Sequence, residues 1–187
     1  MNARAPHLNT WLAVTAIAAL GLVIAAYLLV VVRLDGASGP SLVVDADGST
    51  SGTLGSVGAK EYRSAYFASI CVSAPGEITI RSIEPVEPVG GLRVTDFSVV
   101  STKSRAAILG AASGRLRDEP SYLGTETVTA SCSGQNYADL FVELYKPRPE
   151  DASAGEFTIK YDSDGDHREA PLLYDLSLCE GDDCGAA

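Results

Sequence analysis

Three aspartates at alternate positions form the clearest metal-binding pattern in the sequence. Asp162, Asp164 and Asp166 lie around Gly165 in a polar stretch between two apolar runs. Carboxylate oxygens are the ligands that calcium prefers. The stretch is not an EF-hand, because glycine stands at position four instead of six and Leu173 occupies position twelve. Since Asp-Gly is also a usual β-hairpin turn pair, a turn is the first interpretation and calcium binding the alternative. We expect no other cofactor.

A long irregular segment, residues 102–121, is the second candidate site. It carries basic and apolar side chains that would form a partner-binding surface. These are Lys103, Arg105, Ile108, Leu109, Arg115 and Arg117. Long loops in compact domains are often functional, and a basic patch on an acidic domain would attract an acidic protein or an anionic polymer. The alternative is a flexible insertion with scattered charges.

Catalytic residues are scarce. After residue 33 the only histidine is His167, so a Ser-His-Asp triad would have to use it. It lies in a stretch that predicts a hairpin turn, where a general base is seldom held in fixed geometry. No G-x-S-x-G, S-x-x-K or H-E-x-x-H motif occurs. We therefore predict a protein that is not an enzyme.

The four cysteines indicate an oxidising compartment. Sequence alone does not choose among their three pairings, but the spacings favour Cys71–Cys132 and Cys179–Cys184. The first separation is similar to that of a disulfide between the two sheets of a sandwich. Strand alternation places Cys71 opposite the apolar face of its strand, which argues against such a disulfide unless a bulge intervenes. Zinc held by four thiolates is the alternative, although no C-x-x-C pair occurs.

The elements that must position these residues are predicted to be β-strands, because apolar residues alternate with period two. Strands are expected over residues 41–45, 61–72, 77–83, 92–100, 126–132, 138–146, 155–161 and 169–178. Residues 46–58 predict a turn-rich loop, and residues 84–91, with two prolines, an edge crossing between sheets. Seven or eight short strands without a convincing helix predict an immunoglobulin-like antiparallel β-sandwich. The buried tryptophan of antibody domains is absent, since the only tryptophan is Trp11.

Two finer expectations concern single segments. In the strand over residues 61–72, Tyr66, Ala68, Ile70 and Val72 alternate and should share one face. Within the irregular segment, residues 106–111 predict at most one helical turn.

Charge is distributed unevenly along the chain. All 24 acidic residues follow Arg33, but only 12 of the 14 basic residues do, so the part after Arg33 carries a formal charge of −12. Such a surface disfavours nucleic acid and anionic lipid as partners.

Residues 11–32 predict a transmembrane helix. They include no charged side chain, and 22 residues at about 1.5 Å each span roughly the ~30 Å hydrocarbon core of a bilayer. A cleaved signal peptide is the alternative, although its apolar region is usually shorter. The expected organisation is a cytoplasmic tail (1–10), a transmembrane helix (11–33), a linker (34–40) and an extracytoplasmic domain (41–187). This places the protein in the cell membrane as a single-pass protein, in contact with the bilayer through residues 11–32.

The central residues also resemble a group of bacterial proteins. The resemblance lies in Cys71, residues 75–80, residues 88–97, Cys132, residues 140–144 and the final strand ending in Cys179. The group it resembles is uncharacterised and chiefly actinobacterial, with one anchor or signal helix before a cysteine-bearing β-sandwich. The resemblance implies fold and location and adds no catalytic residue. We expect a non-enzymatic interaction domain that binds a protein of the envelope or membrane; the alternative is a module for an envelope polymer or glycan, assisted by calcium.

Overall fold

A computed structural model describes residues 39–45, 51–101, 110–134 and 136–181. The predicted tail, transmembrane helix and most of the linker lie outside these residues. The described residues belong to one structural unit, Gly39–Ala187. No helix within them is long and apolar enough to span a bilayer.

The described part of the chain contains ten β-strands, which confirms the all-β prediction. They are β1 (Leu42–Asp45), β2 (Ser51–Leu54), β3 (Glu61–Val72), β4 (Ile78–Pro85), β5 (Arg93–Ser101), β6 (Ala111–Ser113), β7 (Thr127–Val128), β8 (Ala138–Lys146), β9 (Ala152–Ser163) and β10 (Asp166–Leu178). Three short 3-10 helices complete it: Leu116–Asp118, Pro120–Tyr122 and Cys132–Gly134.

The strands form two sheets. The first has the order β1-β3-β8-β5, and the second has the order β2-β10-β9-β4-β7. Strand β6 pairs with the first half of β3 and β1 with its second half, so both lie along the edge of β3 that β8 does not use. Every strand pair is antiparallel except β2 with β10.

One buried cluster takes apolar side chains from both sheets. The ring of Phe67 in the first sheet lies 4.8 Å from the rings of both Phe157 and Tyr174 in the second, measured between centroids. These aromatic contacts join the two sheets across the shared core. Two sheets that share one core are consistent with a β-sandwich.

A second, smaller cluster lies on the outer face of the first sheet. Residues 110–123, called here the cover segment, place Leu116 and Tyr122 over Phe141 of β8, with the two rings stacked at 4.3 Å. The Glu143 carboxylate accepts hydrogen bonds from the Leu116 backbone N–H at 2.9 Å and the Thr95 hydroxyl at 2.7 Å. The second half of the predicted irregular segment is therefore packed structure, and Ala111 belongs to a strand instead of a helical turn.

The chain between β6 and β8 crosses from one sheet to the other. Thr125 pairs with Val99 of β5, and Val128 pairs with Ile78 of β4. This crossing explains why the strand predicted over residues 126–132 is reduced to two residues. Strand β2 lies inside the predicted loop 46–58; its sequence, SGTL, has no apolar alternation, and pairing with β10 forms the strand.

The face predicted for β3 is wrong at Tyr66. A register shift between Tyr66 and Ala68 moves consecutive residues, Phe67 and Ala68, into the central core. Tyr66 lies instead on the outer face, with its ring centroid 5.9 Å from that of Phe141. A bulge of this kind is not visible in an alternating sequence.

The predicted Cys71–Cys132 disulfide is confirmed, but it does not connect the two sheets. It connects β3 to the 3-10 turn Cys132–Gly134, beside which the Val72 N–H donates to the Ala130 carbonyl at 2.7 Å. Zinc is thereby excluded at these two sulfurs. Cys179 is also disulfide-bonded; Cys184, its predicted partner, lies outside the described residues.

Candidate functional site

The cover segment and the start of β3 enclose a shallow cavity of about 610 Å³. Its lining includes three cations, two carboxylates and a tyrosine, and we call it the arginine–tyrosine cavity: Arg63, Arg115, Arg117, Glu61, Asp118 and Tyr62. Strand β3 supplies three of these side chains and the first 3-10 helix with its preceding residue supplies the others. Pairing of β6 with β3 brings the two parts together.

Arg115 is held over an aromatic face. Its guanidinium carbon lies 4.2 Å from the centroid of the Tyr62 ring, and that ring packs on Tyr145 at 4.8 Å. A cation over an aromatic face is attracted by the ring quadrupole. Within the described residues no hydrogen-bond acceptor or carboxylate contacts this guanidinium. The guanidinium is therefore positioned by the Tyr62 ring.

The other charges of the cavity are partly neutralised. Arg63 donates to the Ser56 carbonyl at 2.6 Å and lies 3.7 Å from Glu61, whose carboxylate also accepts from the Gly58 N–H. The Arg117 side chain is 69% exposed, and its Nε lies 4.0 Å from Asp118 Oδ1. Three cations against two carboxylates leave a local excess of one positive charge on a strongly acidic domain.

This arrangement suits a carboxylate or a similar anion. A guanidinium offers two parallel N–H donors that match the two oxygens of a carboxylate, and stacking on an aromatic ring fixes the plane of that fork. The structure thus brings together two of the six residues predicted for partner binding, Arg115 and Arg117. The other four, Lys103, Arg105, Ile108 and Leu109, lie outside the described residues.

Sequence reasoning missed Tyr62 and Arg63. Both stand at the start of a strand whose bounds were predicted correctly, and the strand sequence by itself does not mark them as site residues. Their nearness to Arg115 depends on the pairing of β6 with β3, which sequence reasoning did not predict.

The predicted calcium residues lie in a β-hairpin, as the turn interpretation expects. Asp164 and Gly165 have φ angles of 51° and 85°, which are the left-handed values that a two-residue type I′ turn requires. Asp166, on β10, lies 3.6 Å from Arg168. No cluster of three or more potential metal-binding side chains occurs in the described ranges, and calcium binding stays a prediction.

Asp162 forms hydrogen bonds with an arginine and a histidine side chain. One oxygen accepts from Arg81 Nε at 2.7 Å, and the other shares a hydrogen bond of 2.6 Å with His167 Nδ1. The hydrogen bond from Arg81, followed by that from His167, lowers the pKa of Asp162 from its ordinary value. The His167 side chain is 90% exposed, so it lies at the surface of the hairpin.

Comparison with known proteins finds no match, either to a protein-family model or to a curated protein. The function is therefore inferred from the residues and their geometry.

Proposed function

We propose that this chain is a non-enzymatic, membrane-anchored interaction domain outside a bacterial cell, and that it binds an acidic segment of an envelope protein at the arginine–tyrosine cavity. The observation that carries this proposal is the Arg115 guanidinium, which is fixed on Tyr62 and has no acceptor within the described residues.

The strand order supports an immunoglobulin-like fold. Immunoglobulin constant-type domains have strands A, B, E and D in one sheet and C, F and G in the other. If β1, β3, β4, β5, β8, β9 and β10 are lettered A to G, the sheets read A-B-E-D and G-F-C, with β2, β6 and β7 as additions. The disulfide departs from that family, since the antibody bond would connect β3 to β9.

Location is supported by the sequence and by one covalent bond. Residues 11–32 have the length and composition of a membrane anchor. The Cys71–Cys132 bond is typical of an oxidising exterior. The bacterial envelope is inferred from the resemblance described above.

A protein partner is favoured by the residue types in the cavity. Arginine and tyrosine are enriched among the few residues that carry most of the binding energy of protein interfaces. Because Arg115 is already stacked, less side-chain entropy is lost when a carboxylate binds. The remaining acidic surface of the domain would repel acidic segments elsewhere and direct them to this site.

The test is co-purification of the tagged full-length chain from native membranes in mild detergent, quantified by mass spectrometry. We expect a stoichiometric protein partner with the wild type. Arg115→Ala should lower its recovery strongly, because loss of an interface anchor costs about 2 kcal/mol or more, roughly 30-fold in affinity.

Arg148→Ala is the matched control, since Arg148 is an exposed arginine outside the cavity lining. It should leave recovery unchanged. Purification of the chain alone, or equal recovery with Arg115→Ala and Arg148→Ala, would contradict the proposal.

A further inference from the structure

A second cavity lies at the other end of β3 and β8 from the arginine–tyrosine cavity. It measures about 520 Å³, and we call it the hydroxyl groove. Within the described part of the chain its lining has thirteen residues and none of them is charged, although a fifth of the chain is. These residues offer no ion pair to the anionic groups expected at Arg115, which favours a neutral ligand.

The walls of the groove are fixed by backbone contacts. On one side Thr125 and Val99 exchange two hydrogen bonds of 2.8 and 3.0 Å. A Cβ atom at Gly124 would overlap the Val99 carbonyl oxygen, so only glycine permits this approach. On the other side Ala130 accepts from the Val72 N–H, next to the Cys71–Cys132 disulfide. The groove is therefore formed before any ligand binds.

About half of the lining residues carry side-chain groups that both donate and accept hydrogen bonds. These are Ser101, Thr125, Thr127, Thr129, Ser131, Asn136 and Tyr137. Hydroxyls and a carboxamide of this kind match the hydroxyl and acetamido groups of a sugar. Leu123, 54% exposed, and the half-buried Tyr137 both contribute apolar surface to the lining, and the C–H face of a sugar ring can pack on such surface.

A peptide strand fits this groove less well. Addition of a strand requires an unpaired sheet edge, and the edge of β5 at Val99 is already paired with Thr125. We propose that the hydroxyl groove binds a neutral oligosaccharide. This site is independent of the arginine–tyrosine cavity and does not depend on the function proposed for it.

The test uses the full-length chain in a detergent without a sugar headgroup. Chitohexaose, mannohexaose and maltohexaose, three neutral hexasaccharides, are titrated calorimetrically at 0.1 M and 1 M NaCl. We expect at least one to bind saturably with an affinity that salt changes less than about twofold, because no ion pair is involved. Tyr137→Ala and Asn136→Ala should each weaken binding about tenfold, the effect of one lost contact.

Arg115→Ala should leave sugar binding unchanged, which separates this site from the arginine–tyrosine cavity. Circular dichroism and the melting temperature confirm that each variant is folded; if Tyr137→Ala is not, Asn136→Ala, at an exposed position, decides the result. The proposal is overturned if none of the three sugars binds at 10 mM. Titration to this concentration detects binding with a dissociation constant as weak as about 10 mM. It is also overturned if binding is lost at high salt or persists in both groove variants.

Discussion

Asp162 shows how one carboxylate can connect three strands. It lies on β9, contacts Arg81 on β4 and His167 on β10, and keeps only 19% of its side chain exposed. Because its pKa is lowered in the folded protein, the stabilisation is present above the unfolded pKa, near 3.8, and is lost as pH falls through the lower folded value.

Asp162→Asn should therefore lower the melting temperature at pH 6, where the wild-type carboxylate is charged in both states. The difference between variant and wild type should shrink as the pH falls below about 3.8. Asp175→Asn serves as the control, because Asp175 is an exposed carboxylate on the same hairpin. Melting curves from pH 6 to pH 2.5 that stay parallel for Asp162→Asn and wild type would contradict this expectation.

Single residues of the candidate site were only partly predictable. Arg115 and Arg117 could be selected from the sequence because they belong to a basic cluster in a long irregular segment. Tyr62 could not, since its role comes from a contact with a residue more than fifty positions away. The hydroxyl groove left a clearer signal, because Thr125, Thr127, Thr129 and Ser131 alternate in sequence, whereas the strand predicted over residues 126–132 rests on apolar residues alone.

The cover segment is the element on which the arginine–tyrosine cavity depends. It places Arg115 and Arg117 while burying Leu116 between them against the first sheet. Because Leu116 lies between Arg115 and Arg117 in sequence, its packing against the first sheet also fixes the positions of the two arginines.

Leu116→Ala should cost about 2–4 kcal/mol of unfolding free energy, because a fully buried side chain is replaced by a cavity. Leu123→Ala, at an exposed position of the same segment, should cost less than about 1 kcal/mol. Urea denaturation of the full-length variants, followed by circular dichroism, measures both values. A loss below about 1 kcal/mol in Leu116→Ala, no larger than that in Leu123→Ala, would contradict a contribution of the cover segment to stability.

The strands whose bounds were predicted best are those with long runs of strand-forming residues. The bounds of β3 and β8 match the prediction, because each has a nearly continuous run of strand-forming residues between turns. Strands β2 and β6 were missed, since their residues are small or polar and become strands only by pairing with a neighbour. Long-range pairing of that kind leaves no local pattern.

At the scale of the whole molecule, the Cys71–Cys132 bond encloses β4 to β7 in a single covalent loop. The loop includes strands of both sheets, and it also includes the cover segment and residues 124–131. The bond therefore restricts the unfolded chain over much of the domain, even though it connects two neighbouring parts of the folded one.

Replacing both cysteines, as Cys71→Ala with Cys132→Ala, should lower the unfolding free energy by about 4 kcal/mol for a sequence separation of 61. Thermal and urea denaturation of this double variant, compared with oxidised wild type, provide the measurement. Under reducing conditions, where the disulfide of Cys179 is also broken, wild type and the double variant should have similar stability if the Cys71–Cys132 bond is responsible. A stability within about 1 kcal/mol of wild type would contradict the expectation.

The parallel pairing of β2 with β10 has a mechanical consequence. Residues 51–54 lie beside residues 175–178 and run in the same direction. A pull on the chain before β2 and an opposite pull on the chain after β10 would draw the two strands past each other along their length. The backbone hydrogen bonds of all four residue pairs would then bear the force at the same time. If the strands were instead separated from one end, these bonds would break one pair at a time. Tension that reaches β2 from its N-terminal end and β10 from its C-terminal end would be resisted by this short pair of strands.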